Sequence, residues 1–144
     1  MPVRHTLMLV MRRGAQVWLQ RRAPTGIWGG LWSLPEGEDT ATLVRLADRI
    51  GIHDSAVELQ PLTPISHTFT HFRLEIEPLL LDLPAGAATL YAAEAEEGWV
   101  PLAELDAVGL PAPVRKLLLG LTGDAALGPA FAETNRLTAS DVAA

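Results

Sequence analysis

The chain has 144 residues, 49% of them hydrophobic, which suits one globular domain with a real core and argues against general disorder. It has no cysteine, which excludes a disulfide framework, a thiolate zinc site, a cysteine nucleophile and an iron–sulfur cluster held by cysteines. The net charge of -6 has the wrong sign for a protein held to nucleic acid mainly by electrostatics.

The charges are segregated along the chain. Arg4, Arg12, Arg13, Arg21 and Arg22 all precede the first acid, Glu36, whereas every charged residue from Glu75 to Asp106 is acidic. One face can therefore be locally positive on a negative molecule, although solvated strand ends and loops would give the same pattern. No apolar run is long enough to span a bilayer, and Leu7-Met8-Leu9-Val10-Met11 is too short for a signal-peptide core. A soluble, cytoplasmic monomer with no membrane contact is expected.

Residues 5–13 and 16–22 predict a β-hairpin turning near Arg13-Gly14-Ala15, where glycine supplies a positive φ. Arg21 to Gly26 reads as a loop, Gly29-Gly30 permits close backbone approach, and Leu31-Trp32-Ser33-Leu34 reads as a short strand stopped by Pro35. Asp39 or Thr40 caps a helix running to about Ile50. Leu43, Leu46, Ala47 and Ile50 form its apolar stripe, and Gly51 stops it. Another strand is expected at 56–61.

Ile65 to about Leu81 is the longest strand signal. Phe72, Leu74 and Ile76 alternate with Arg73, Glu75 and Glu77, which assigns Phe72 to the core. Pro78 puts that end at an edge or bulge. Pro84-Ala85-Gly86 then reads as a turn, Thr89-Leu90-Tyr91 as a short strand, Ala92 to Glu97 as an acidic loop and Trp99-Val100 as the last strand. Pro101 stands where a helix can begin. The final helix is expected from about Ala112 to Leu121, with Val114, Leu117, Leu118 and Leu121 buried, and residues 122–144 are expected to form a flexible tail. Strands interleaved with helices, without regular βαβ alternation, predict an α+β chain: a mixed β-sheet packed against two main helices, an α/β/α sandwich.

Two stretches carry candidate chemistry. Gly30 to Gly51 resembles in spacing the Nudix box, a loop–helix segment that supplies magnesium-binding carboxylates. Its chemistry departs from that box: Val44-Arg45 stands where Arg-Glu is expected, and Asp48-Arg49 where Glu-Glu is expected. Magnesium needs several oxygens at tight octahedral distances, and an arginine beside one aspartate disfavours a dication. Glu36 and Glu38 remain as carboxylates, which keeps hydrolysis of an oxidised nucleoside triphosphate as an alternative. The second stretch is His67-Thr68-Phe69-Thr70-His71-Phe72. Histidines at this spacing share one side only in a helix, and these residues favour strand or turn, so no metal site is assigned. Ser33 and Ser66 lack the setting of a nucleophile elbow, and no catalytic residue is assigned.

Three blocks then form a pattern. Arg21 through Pro35, His67 through Phe72, and Trp99 through Val114 with Gly109-Leu110-Pro111 resemble, in order, the C-terminal domain of A/G-specific adenine DNA glycosylases (MutY). The resemblance implies a Nudix-like fold without the magnesium box, spanning residues 1–121, and a role in base excision repair. It implies that the domain reads 8-oxoguanine opposite adenine in double-stranded DNA. A separate catalytic glycosylase domain in cis, with its own 4Fe-4S cluster, would cut the adenine N-glycosidic bond. Nothing in this sequence resembles that domain, so this chain is expected to bind no cofactor and to catalyse nothing alone.

The family's recognition triplet Phe-Ser-His falls on Phe69, Thr70 and His71, with threonine departing from the usual serine. Oxidation turns guanine N7 from an acceptor into an N–H donor and adds an oxygen at C8. The Thr70 hydroxyl can accept at N7 and a loop N–H can donate to O8. Phe69 can stack or wedge at a base step, and His71 can meet phosphate or base. His67, Arg21, Arg22 and Arg73 are further candidate contacts. As bare residues these have plainer readings: Phe69 as core, Thr70 as a strand residue, His67 as a hydrogen-bonded structural group. A protein-interaction module on a degenerate Nudix fold is the third alternative.

Overall fold

The computed structural model describes residues 1–52, 58–84 and 96–127. The strands are β1 (Val3–Arg13), β2 (Gln16–Arg21), β3 (Trp32–Ser33), β4 (Glu36–Gly37), β5 (Gln60–Pro61), β6 (Ile65–Thr68), β7 (Arg73–Leu83) and β8 (Glu97–Pro101). The helices are α1 (Thr40–Arg49), α2 (Ala112–Leu127) and a 3₁₀ segment at Leu102–Ala107. The strands form one mixed sheet in the order β3-β2-β1-β7-β5, with β4 on β1, β6 on β7 and β8 on β2. β1 is antiparallel to β2 and β4 but runs parallel to β7, in register from Val3 opposite Arg73 to Arg13 opposite Leu83.

Met8, Leu9, Val10 and Met11 are buried without a break, which requires a strand covered on both faces. Met8 and Val10 pack with Leu74, Ile76 and Leu80 against Val114, Leu118 and Leu121 of α2. Leu9 and Met11 pack with Leu79 and Leu81 against Leu43 and Ala47 of α1. The expected α/β/α sandwich is thus the observed architecture. Each buried aliphatic side chain contributes on the order of 1.5–3 kcal/mol, so the two faces share the stabilisation. Arg12 crosses to Asp82 with bonds of 2.8 and 3.1 Å and fixes the β1–β7 register at its far end. No described helix is long and apolar enough to cross a membrane.

Helix α1 forms as its sequence dictates: Asp39 accepts from the Thr42 N–H at 2.8 Å, and Gly51 takes a φ of 97° just beyond the end. Other elements differ from expectation. The single strand expected from Ile65 to Leu81 is a hairpin of β6 and β7, broken at Phe69–Phe72. Pro78 lies inside β7, where the neighbouring strand changes from β6 to β5. Its carbonyl accepts from the Leu62 N–H at 2.9 Å, and the reciprocal bond that proline forgoes falls at that junction, beyond the pairs that β5 and β6 make with β7.

The segment after Pro101 is 3₁₀ rather than α-helical, with Glu104 off helical geometry. α2 continues past Leu121 to Leu127, which shortens the expected tail. Glu36-Gly37 adds a strand that was not expected, paired with Leu7 and Met8. The strand expected at 56–61 is described only from Glu58 on, and there pairing is confined to Gln60-Pro61. The Thr89–Tyr91 strand, most of the Pro84–Gly86 turn and of the acidic loop, and residues 128–144 lie outside the described residues.

Candidate nucleic-acid interface

β6 and β7 pair from Ile65 opposite Ile76 to Thr68 opposite Arg73. Beyond the last pair, the Phe69 N–H donates to the Phe72 carbonyl at 2.8 Å, which closes the hairpin and leaves Thr70-His71 as its tip. Both tip residues are exposed, whereas Phe69 is half-buried and Phe72 is buried. Phe69 stacks on Phe72 at 4.7 Å between centroids with planes 22° apart. It meets His67 edge-on at 4.8 Å and Trp28 at 5.4 Å, and Trp28 lies 5.6 Å from His67. Aromatic pairs of this kind add about 0.5–1.5 kcal/mol each beyond burial, so apolar contacts fix the tip to the domain.

Trp28 reaches this cluster from a loop closed on itself. The Arg22 N–H donates to Leu31 O at 2.8 Å, the Gly30 N–H to Ala23 O at 3.0 Å and the Leu31 N–H to Trp28 O at 3.1 Å. Arg22 Nε donates to Ile27 O at 3.1 Å, and its guanidinium pairs with Glu36. Gly29 must be glycine, because a Cβ there would lie 2.5 Å from the Pro24 carbonyl oxygen. Trp28 itself has a φ of 55°, a conformation held by the surrounding loop. The Trp32 N–H donates to Gly109 O at 2.8 Å. The three sequence blocks, far apart in the chain, therefore meet: the first carries Trp28 to the second and rests on the third.

Phe69, Thr70, His71 and His67 come together at this hairpin, and Arg22 braces the loop beneath it. Arg21 is exposed at the mouth of that loop, with Nε donating to Gly30 O at 3.2 Å. Arg73 starts beside the tip but leaves on the opposite face of the sheet, paired at 2.6 Å with Glu75. That guanidinium, with help from the Ser66 hydroxyl, holds the Glu75 carboxyl below its ordinary range. Two residues join the site without having been singled out. Trp28 has no local signal beyond its place in the first block. Arg4, whose guanidinium lies 4.1 Å over the Phe72 ring, arrives through the long-range β1–β7 pairing.

The helix of the box-like segment is arranged differently. Arg49 makes two bonds to Glu97, of 2.8 and 3.1 Å, and Gln20 donates to the same carboxylate at 3.1 Å. The Arg49 bonds lower the Glu97 pKa and raise that of Arg49. Asp39 is held as the α1 cap by Thr42, which lowers its pKa, and Glu36 is held by Arg22. No cluster of three or more His, Asp or Glu placed for a metal ion occurs among the described residues. A guanidinium sits where a magnesium-binding carboxylate would be needed, so these residues do not fit that ion.

Residues 6–120 match the NUDIX domain family. The chain belongs to that family. An adenine DNA glycosylase of Buchnera aphidicola subsp. Acyrthosiphon pisum (strain APS) is 24% identical to this NUDIX domain over 120 residues, 82% of the chain and 33% of that protein. The chain thus spans about a third (33%) of the length of the curated relative it matches. The C-terminal domain of mouse MUTYH, solved in complex with human PCNA, has a TM-score of 0.65 and 18% identity over 83% of this chain and 87% of that one. The NUDIX domain of Shewanella oneidensis NrtR complexed with ADP ribose has a TM-score of 0.64 and 16% identity over 86% and 89%. Both likenesses show the fold. The sequence likeness to a glycosylase and the structural likeness to a MUTYH C-terminal domain point to the relatives that the three sequence blocks resemble.

Proposed function

We propose that this NUDIX domain is a DNA-repair module that recognises 8-oxoguanine opposite adenine for an A/G-specific adenine DNA glycosylase, with the bond cut by a catalytic domain in cis. The observation that carries this reading is the hairpin tip. A hydroxyl and an imidazole stand exposed at Thr70 and His71 on a turn anchored by Phe69, Phe72, His67 and Trp28.

A lesion reader needs polar groups that are rigid before the base arrives. The Thr70 hydroxyl accepts from the N7–H of 8-oxoguanine, a tip N–H donates to O8, and His71 meets the adjacent backbone. β-branching restricts χ1 of Thr70 and so fixes where its oxygen stands, while the hydroxyl proton still turns. Facing ordinary guanine, a Thr70 hydroxyl whose proton is held away from N7 would oppose the N7 lone pair and go unpaired, at a cost of about 1–3 kcal/mol, whereas a freely turning one would donate to it. Phe69 serves as the platform under the tip, since a deep wedge would require leaving its stack on Phe72. The rival reading, metal-dependent hydrolysis of an oxidised nucleoside triphosphate, draws on Glu36 and Glu38, of which Glu36 is bound to Arg22, and no cluster of three or more candidate metal ligands occurs among the described residues.

The test joins the domain to a catalytic glycosylase domain and compares cleavage of adenine opposite 8-oxoguanine with cleavage opposite guanine. Thr70→Ala is expected to lower that preference roughly tenfold, the equivalent of about 1.4 kcal/mol. An unchanged preference removes Thr70 from the site. Magnesium-dependent pyrophosphate release from 8-oxo-dGTP by this chain would establish the rival instead.

A further inference from the structure

The described arginines in ion pairs are Arg12, Arg22, Arg49, Arg73 and Arg115. Arg4 differs. It is exposed, makes no ion pair among the described residues, and is held by its guanidinium lying 4.1 Å over the Phe72 ring. Phe72 in turn stacks with Phe69, directly behind the tip. The seat is fixed from the backbone as well: Arg4 lies opposite Leu74 in the parallel pairing, and the Arg73 N–H donates to Pro2 O at 2.9 Å. Strand alternation puts Arg4 on the face of Leu74 and Phe72, whereas Arg73 leaves on the other face beside Glu75.

A guanidinium stacked on an aromatic ring keeps its N–H edges free, in a fork that matches two phosphate oxygens. We propose that Arg4 grips a backbone phosphate of the DNA strand whose base the hairpin tip reads. The site then has two parts on one rigid stack: Thr70 selects the base, and Arg4 holds the strand whatever its sequence. This inference rests on the DNA-reading role proposed above and assigns that role's electrostatic anchor. It also answers the adverse net charge of -6, because binding needs only a cation free of carboxylates at the tip.

The experiment measures binding of this chain to short duplexes, with 8-oxoguanine or guanine opposite adenine, by fluorescence anisotropy across a salt series. Arg4→Met keeps an unbranched chain over Phe72 but removes the charge. It is expected to weaken binding to both duplexes by the same factor and to reduce the slope of log affinity against log salt by about 0.9. Arg4→Lys is expected to recover the slope, and it decides the matter if Arg4→Met melts too low to test. Arg45→Met, on α1, controls for loss of a charge elsewhere and should leave the slope unchanged. An unaltered slope in Arg4→Met, or an equal drop in Arg45→Met, overturns the Arg4 assignment while the DNA-reading role stands. A loss confined to the 8-oxoguanine duplex overturns it too, because it would make Arg4 a base contact. Absence of any salt-dependent binding by the unaltered chain refutes the DNA-reading role itself.

Discussion

Helix α1 and the β6–β7 hairpin both present polar side chains at the surface, yet they hold them in opposite ways. On α1 the polar groups have protein partners: Asp39 caps Thr42, Arg45 donates to the Thr42 hydroxyl at 3.2 Å, and Arg49 is bound to Glu97 of β8. At the hairpin, rings do the fixing, and the Thr70 hydroxyl and His71 imidazole stay exposed. A metal centre needs carboxylates without cationic partners, and a base reader needs polar groups without internal partners. In this NUDIX domain Glu36 and Glu97 beside α1 carry cationic partners, whereas Thr70 and His71 at the hairpin stay exposed.

The largest expected effect lies in the packing behind the tip. Phe72→Ala removes a ring only 8% exposed, stacked with Phe69 and covered by Arg4, and should cost about 3–5 kcal/mol in urea unfolding. A loss below about 1 kcal/mol would mean that the rings do not anchor the tip. Arg49→Met should cost far less, about 0.2–1 kcal/mol, because the pair is half-exposed and screened.

The effect of Arg49→Met should also depend on pH. Arg49 holds the Glu97 carboxyl below its ordinary value of 4.5, so the pair contributes fully above that value and loses its contribution as pH falls through the lowered one. The melting difference between the two proteins should therefore shrink on strong acidification. A constant difference would show that Arg49 acts by packing. Thr70→Ala should change stability least, within about 0.5 kcal/mol, as befits an exposed hydroxyl. A larger loss would make Thr70 a structural residue and erase the contrast with α1.

Some of this was legible in the residues. Alternation through Leu74 and Ile76 suffices to put Phe72 inside, and the stripe on α1 with Asp39 and Gly51 suffices for its bounds. The break at Thr70-His71 is not legible. Trp28 is the one non-glycine residue described with a positive φ, so the tip turns without glycine or any left-handed residue, and β-branched threonines flank Phe69 as they would in a continuous strand. Only the pairing of β6 back onto β7 decides it. The Arg49–Glu97 pair joins residues 48 apart, and the Arg4–Phe72 contact depends on parallel pairing of β1 with β7, so neither has a local signature. Thr70 as a lesion contact came from the family resemblance. The geometry adds that its hydroxyl is exposed on a fixed turn.

The most direct measurement is an NMR titration of the isotope-labelled chain with a duplex carrying 8-oxoguanine opposite adenine. Amide shifts should concentrate at Phe69, Thr70, His71 and Arg4, exceed those caused by the guanine duplex, and leave α1 unmoved. Shifts centred on Thr40–Arg49 with a silent hairpin, or equal shifts at the tip for both duplexes, would contradict lesion reading by the hairpin.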